Sequence, residues 1–349
     1  MGTDTRRRVR FTAPEEVEII TEAIPAIGPG EVRVRTQYSA ISPGTERLIY
    51  SGQVPNTLLA DASIEALKGE DLSFPLSYGY ACVGRVEEVG TEVSEEWHDA
   101  SVFAFQPHVS HFVTSPESLI RVPSSVDLQD AVMIPSVETA VNLVMDGRPM
   151  IGEVAIVFGQ GVVGLLTARL LANYPVGGLL TVDPVASRRA CSEAMGATSV
   201  PSVSELEQID GFGGESRRGP PPHTAPDGAD LVYELTGQPD VLNDAIRSTG
   251  FAGRIVVGSW YGTKTAPIDL GGRFHRSRMQ IISSQVSTID PSLRGRWTKD
   301  RRMSVVLDHL PDLRPSQLIT DRIAVEDAPH AYEQLTSDAT MLQPIFEYK

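Results

Sequence analysis

Gly152–Asp183 reads GEVAIVFGQGVVGLLTARLLANYPVGGLLTVD, and the order of residue types in it decides the fold. Val154–Phe158 is a short apolar run rich in β-branched residues. Gly159, Gly161 and Gly164 follow in G-x-G-x-x-G order, and Val162–Ala172 continues as a helix that is apolar all round. That is a strand, a glycine turn and a helix. Gly159 makes the tight turn, Gly161 lets bare backbone approach a pyrophosphate, and Gly164 lets the helix lie close to the strand. The N–H groups of Val162, Val163 and Gly164 open the helix and face the phosphates. A second apolar strand, Leu179–Val182, ends in Asp183, nineteen residues past Gly164. A carboxylate there accepts hydrogen bonds from both ribose hydroxyls and repels a 2′-phosphate, so the motif predicts NAD(H) rather than NADP(H).

Working outward, the alternation of strand and helix continues through Ala229–Gly237 (ADLVYELTG), a helix over Pro239–Ser248, Gly253–Trp260 and Met279–Ser287. These supply the later strands of a doubly wound parallel sheet, a Rossmann domain over residues 150–287. Thr236 and Gly237 end one of its strands and Gly258 ends the next. A ligand crevice opens at strand C-termini, so all three are assigned to the cofactor. Glu207–Asp227 carries GFGGESRRGPPPH and reads as an exposed, mobile loop.

The flanking segments read differently. Arg7–Thr12, Val17–Thr21, Val32–Ala40 and Ser77–Gly90 form strands, with helices over Leu58–Lys68 and Ser136–Met145. Past residue 287 come a helix over Met303–His309, a strand near Leu318–Ile323, a helix over Val325–Leu335 and a final strand near Gln343–Tyr348. Residues 1–149, completed by 288–349, therefore make a mostly β domain. The nucleotide domain is inserted into it, with the active cleft expected between the two.

Composition narrows the function classes. A chain of 349 residues, 41% of them hydrophobic, carries two cores. It has no run of 18 apolar residues and no apolar stretch after MGTDTRRR, which predicts a cytoplasmic protein with no membrane partner. A formal charge of −15 argues against nucleic acid. Lys68, Lys264, Lys299 and Lys349 are the whole lysine complement, a composition that suits a high-salt cytoplasm or simply reflects arginine-rich codon usage. Cys82 and Cys191 are too few for a disulfide framework or a four-cysteine zinc site.

The order of elements, with GPGEVRVR (Gly28–Arg35), GYACVGRVEEVG (Gly79–Gly90), the nucleotide motif, GADLVYELTG and AGRIVVG, resembles the medium-chain dehydrogenase/reductase superfamily over nearly the whole chain. The resemblance implies an α/β fold: a mostly β, GroES-like catalytic domain and a Rossmann domain with a doubly wound parallel sheet. It also implies a homo-oligomer, dimer or tetramer. Zinc-dependent members have a cysteine where this chain has Ser42 and Pro43, and a His-Glu pair where it has Tyr80 and Ala81. A catalytic zinc needs three protein ligands, so that site is lost. SPGTER (Ser42–Arg47), SYGYACVGRV (Ser77–Val86) and RFHRSRMQIISSQVS (Arg273–Ser287) look like a zinc-lacking branch, the bacteriochlorophyllide hydroxyethyl dehydrogenase-like group, whose named members oxidise a secondary alcohol to a ketone. Substrate identity does not follow from that likeness.

Site residues carry over position by position. Thr45 matches the family's hydroxyl that relays the substrate proton, and Tyr80 stands where a zinc-binding histidine would be. Tyr80 is assigned as donor or acid, or alternatively as filler of the vacated volume. Glu46 matches an acidic residue behind the metal; it either orients Thr45 or Tyr80 or pairs with Arg47. Thr139 aligns with the threonine against the nicotinamide, while its neighbour Glu138 is a candidate base that is read in preference as a solvated helix carboxylate. His98, His108 and His111 are read as surface histidines rather than a rebuilt metal site. Arg273, His275 and Arg276 make a basic cluster that either meets an acidic substrate group or balances nearby carboxylates, the second being preferred.

The expectation is a zinc-independent, NAD-dependent oxidoreductase that exchanges hydride between nicotinamide and a secondary alcohol or ketone, with a small-molecule substrate as its partner. An enone or quinone reductase, which needs no alcohol proton relay, is a second reading. A catalytically inactive NAD(H)-binding regulator is a third.

Overall fold

A computed structural model describes residues 5–55, 57–61, 63–206, 208–209 and 228–349. Nearly all of the glycine- and proline-rich stretch at 207–227 lies outside them. Two compact units divide the chain: residues 1–135 with 307–349, and residues 136–306.

In the second unit six strands lie in the order Thr198–Val200, Gly178–Val182, Val154–Phe158, Ala229–Glu234, Thr249–Val257 and Gln280–Ser283, and every pair is parallel. Strands buried on both faces read as continuous apolar runs, as Val154–Phe158 does. Their alternate residues feed two cores. Ile156 and Phe158 pack on one face with Leu180, Val182 and Ile246; Ala155 and Val157 pack on the other with Ala168, Leu171 and Leu231. The strand order reverses beside Val154–Phe158, which makes a switch point at the strand that feeds the glycine turn. The strand expected over Met279–Ser287 stops at Ser283, and Ser287 N–H turns back onto Gln285 Oε1.

Residues 136–149 and 288–306, which the sequence reading grouped with the mostly β domain, lie in this unit. The wholly buried Arg302 tethers them. Its guanidinium donates to Glu138 Oε1 (2.7 and 3.1 Å), Asn142 Oδ1 (2.5 Å) and the carbonyl of Val286 (2.5 Å). Glu138 is thus buried and ion-paired, not solvated. A buried guanidinium is tolerable only when most of its donors are met, and this sequence-distant pairing left no local signal.

In the first unit the sheet runs Asp321–Ala324, Pro344–Glu347, Val32–Ala40, Cys82–Val89, Ser101–Ala104 and Leu119–Arg121, with His111–Thr114 also on Val32–Ala40. The Thr5–Ala13 and Glu16–Ala23 hairpin is a separate sheet. The chain's last strand pairs with one of its first, Ile345 opposite Ala40. Close approach requires glycine at Gly84, where a Cβ would lie 2.1 Å from the Arg35 carbonyl oxygen. Among the described residues the helix predicted over Leu58–Lys68 is absent: there only Glu65–Leu67 makes a 3-10 turn, and Leu59 bridges Asp71. Leu58 and Leu59 are 46% and 57% exposed, so no burial rewards a helix, and the backbone bonds Glu70 and Leu72 instead.

Candidate functional site

The three glycines of the turn sit in three different surroundings. Gly159 has φ +84°, and a Cβ on it would lie 2.7 Å from the Leu235 carbonyl oxygen and 2.9 Å from Thr236 Cα. At Gly164 a Cβ would meet the Gly159 oxygen at 1.9 Å, so helix and strand touch there. A Cβ on Gly161 would meet nothing within 4 Å: it faces open space at the N-cap of Val162–Ala172. The first N–H groups of that helix, from Val162, Val163 and Gly164, have no acceptor within the helix. An open cradle at a helix N-terminus fits a dinucleotide pyrophosphate.

Asp183 is 4% exposed. Its Oδ2 accepts the Gln160 N–H (2.7 Å) and its Oδ1 the Val185 N–H (2.8 Å). An ionised carboxylate has about four acceptor positions, so two remain after it has fastened the glycine turn to its own strand. Sequence reasoning missed Glu234, wholly buried at the end of Ala229–Glu234. It accepts the Thr236 N–H (2.8 Å), the Thr236 hydroxyl and the Tyr261 hydroxyl (2.5 Å). Gly237, at φ +70°, donates to Ser259 Oγ and accepts from Lys264 Nζ. An acid closing an apolar strand, in VYELTG, was the available signal. Gly258 has a packing reason of its own, since a Cβ would lie 2.6 Å from both Leu143 and Leu235. Thr139 is partly exposed on the Ile134–Gly147 helix.

The first unit brings together residues from four distant segments. Ser42 N–H donates to Glu46 Oε1 (2.7 Å) while Glu46 N–H donates to the Ser42 carbonyl, a reciprocal lock at the start of Thr45–Tyr50. The Tyr80 hydroxyl donates to Ser42 Oγ and is bonded also to the Thr45 side chain. Burial pushes the Tyr80 phenol up, and the Glu46 and Asp61 charges push the same way; the Ser42 and Thr45 hydrogen bonds oppose them.

Glu46 is wholly buried, and so is His108. His108 Nε2 meets Glu46 Oε2 at 2.9 Å, and the Tyr332 hydroxyl donates to the same oxygen at 2.5 Å. On its other side His108 Nδ1 meets Ser39 Oγ at 2.6 Å, and Ser39 meets the Tyr348 hydroxyl at 2.9 Å. The reading of His108 as a surface histidine is therefore corrected. Gly79, at φ +121°, makes its place: a Cβ there would lie 2.8 Å from the imidazole Cδ2. His98 is exposed beside Asp99, and His111 is half-buried with its imidazole pushed down by burial.

The resemblance raises zinc, and the residues do not fit it. Among the described residues no group of three His, Cys, Asp or Glu side chains is placed to hold a metal. Glu46 and His108 come nearest, but both imidazole nitrogens and both carboxylate oxygens already have partners. Zinc requires at least three free ligand atoms around one point.

No family model matches the chain. It is similar to D-guloside 3-dehydrogenase of Escherichia coli K12, 21% identical over 342 residues that cover 94% of this chain and 95% of the relative. Among solved structures it resembles 2R,3R-butanediol dehydrogenase from Bacillus subtilis (TM-score 0.76, 19% identity, 99% of this chain and 100% of that one). It also resembles an alcohol dehydrogenase from Escherichia coli CFT073 complexed with the cofactor NADH (TM-score 0.75, 19% identity, 99% and 100%). The fold is that of these solved dehydrogenases, a mostly β domain and a parallel-sheet Rossmann domain. Among the described residues no helix is long and apolar enough to cross a membrane.

Proposed function

We propose that this chain is a zinc-independent, NAD(H)-dependent oxidoreductase that exchanges hydride between nicotinamide and a secondary alcohol or ketone. The observation that carries the reading is the hydroxyl cluster of Ser42, Thr45 and Tyr80, in which Tyr80 is a half-buried residue bonded to both of the others. Alcohol oxidation needs a group that manages one proton and stabilises charge on the oxygen. A phenol held above its ordinary value stays protonated across neutral pH, so Tyr80, once its one O–H turns from Ser42 to the substrate, serves as hydrogen-bond donor to a carbonyl or alkoxide oxygen, and Thr45 relays the proton between that oxygen and solvent. Glu46 is too deeply buried to touch substrate and acts through Ser42.

When bound, the nicotinamide accepts or gives the hydride. Gly161 and the helix start hold the pyrophosphate, Asp183 the ribose hydroxyls, and Thr236, Gly237 and Thr139 line the remainder. The preference for NAD(H) rests on Asp183, whose free acceptor positions suit hydroxyls and whose charge opposes a phosphate.

The test is elemental analysis of purified protein followed by turnover of secondary alcohols with NAD, on wild type, Tyr80→Phe and Thr45→Val. Zinc-free protein with activity in the wild type and about a hundredfold loss in Tyr80→Phe is expected. Stoichiometric zinc would overturn the metal reading. Turnover of enones that is indifferent to Thr45→Val would favour the second reading, and tight NADH binding with no turnover the third.

A further inference from the structure

We propose that His108 is a positioning residue of this site: with Tyr332 it fixes the Glu46 carboxylate that anchors the Ser42–Thr45 turn beneath the Tyr80 phenol. The proposal rests on the assignment of Tyr80 made above.

A carboxylate removed from water is held in one rotamer only if its lone pairs are met. Glu46 Oε1 takes the Ser42 N–H, and Oε2 takes the Tyr332 hydroxyl and the imidazole. The Glu46 carboxylate can only accept, so the hydrogen on Nε2 faces it, while Nδ1 bonds Ser39 Oγ, which in turn bonds the Tyr348 hydroxyl. Phe346 packs edge-on against the ring, with centroids 5.0 Å apart, and Gly79 leaves it room on the other side. The imidazole therefore has one place to sit, and Glu46 inherits that rigidity. Ser42 is held through its backbone by Glu46 and offers its Oγ to Tyr80.

The same geometry sets charge behind the phenol. The groups that face Tyr80 are Glu46 with its partners His108 and Tyr332, Asp61, and Tyr78, whose ring centroid lies 6.0 Å from that of Tyr80. Donors on Glu46 draw its charge away from Tyr80. Losing one leaves more of that charge facing the phenol and raises the pH at which it ionises; losing the charge itself lowers that pH.

Difluorotyrosine at position 80 ionises nearer neutrality and reports its state by fluorine NMR. We expect its titration midpoint to rise by about half a unit in His108→Leu, to fall by about one unit in Glu46→Gln, and to return towards wild type in His108→Gln, which keeps a donor. If His108→Leu does not fold, Tyr332→Phe removes the other donor to the same oxygen and should also raise the midpoint. A midpoint unchanged in all folded variants, even with a lower melting temperature, overturns the proposal. Turnover of secondary alcohols is measured on the same samples with unsubstituted Tyr80. A midpoint that moves in a chain without turnover sinks the dehydrogenase reading and leaves the positioning role standing; turnover with an unmoved midpoint does the reverse.

Discussion

The glycine turn at Gly159–Gly164 and the hydroxyl cluster around Tyr80 are assembled in opposite ways. The turn draws its main parts from one continuous stretch, and the shape it needs is set by residues that lack a side chain. The cluster draws on Ser39–Glu46, Gly79–Tyr80, His108 and Tyr332–Tyr348, and its shape is set by buried polar side chains that satisfy one another. A site of the first kind tolerates change outside its few residues. One of the second kind is exposed to the loss of any member, because each buried polar group left unpaired costs the fold directly.

The sharpest break in that comparison is His108→Ala. It leaves a buried carboxylate short of a partner and should lower unfolding free energy by about 3 kcal/mol in urea denaturation, with NADH affinity preserved. Gly79→Ala should act in the same direction, because the added methyl presses on the imidazole at a backbone φ of +121°. Next comes Tyr80→Phe: kcat for a secondary alcohol should fall about a hundredfold with the NADH dissociation constant unchanged by calorimetry.

Within the turn, the two glycines should separate. Gly164→Ala drives a methyl into the Gly159 carbonyl and should cost roughly 1–3 kcal/mol of stability. Gly161→Ala meets no protein atom and should leave the melting temperature alone while weakening NADH about tenfold. Equal effects at both positions would contradict the cradle. Asp183→Asn should shift the NADH-over-NADPH preference by about tenfold, the size of one charge contact.

The smallest effect concerns Asp146, which accepts from Asn142 Nδ2 (2.9 Å) and Ser284 Oγ (2.7 Å). Burial raises its carboxyl above the ordinary 3.8. The folded chain then holds that proton to higher pH than the unfolded chain, so this contribution to stability is present below 3.8 and is lost as pH rises through the raised value. Asp146→Asn should flatten the stability profile in that window.

Much of the architecture was legible in the sequence. Val154–Phe158, the glycines and Asp183 are near neighbours along the chain, and an apolar run between a glycine turn and a helix has few other solutions. The return of the chain's end to the first domain was legible as well, from its β finish, whereas the pairing of that last strand with Val32–Ala40 was not. Leu58–Lys68 misled because a helical spacing of leucines predicts a helix only if something covers that face, and here Leu58 and Leu59 stay exposed.

The sequence by itself determined the parallel sheet that follows the glycine turn, because local period and residue type constrain backbone shape over ten to twenty residues; Thr45 and Tyr80 were pointed to only by the family resemblance. Only the tertiary structure decided that His108 and Arg302 are buried, that Glu46 faces His108, and that Glu138 is an ion-pair partner. Those residues are 62 and 164 positions from their partners. A lone histidine or arginine in sequence looks solvated, and its burial becomes affordable only once the fold delivers the matching acceptor.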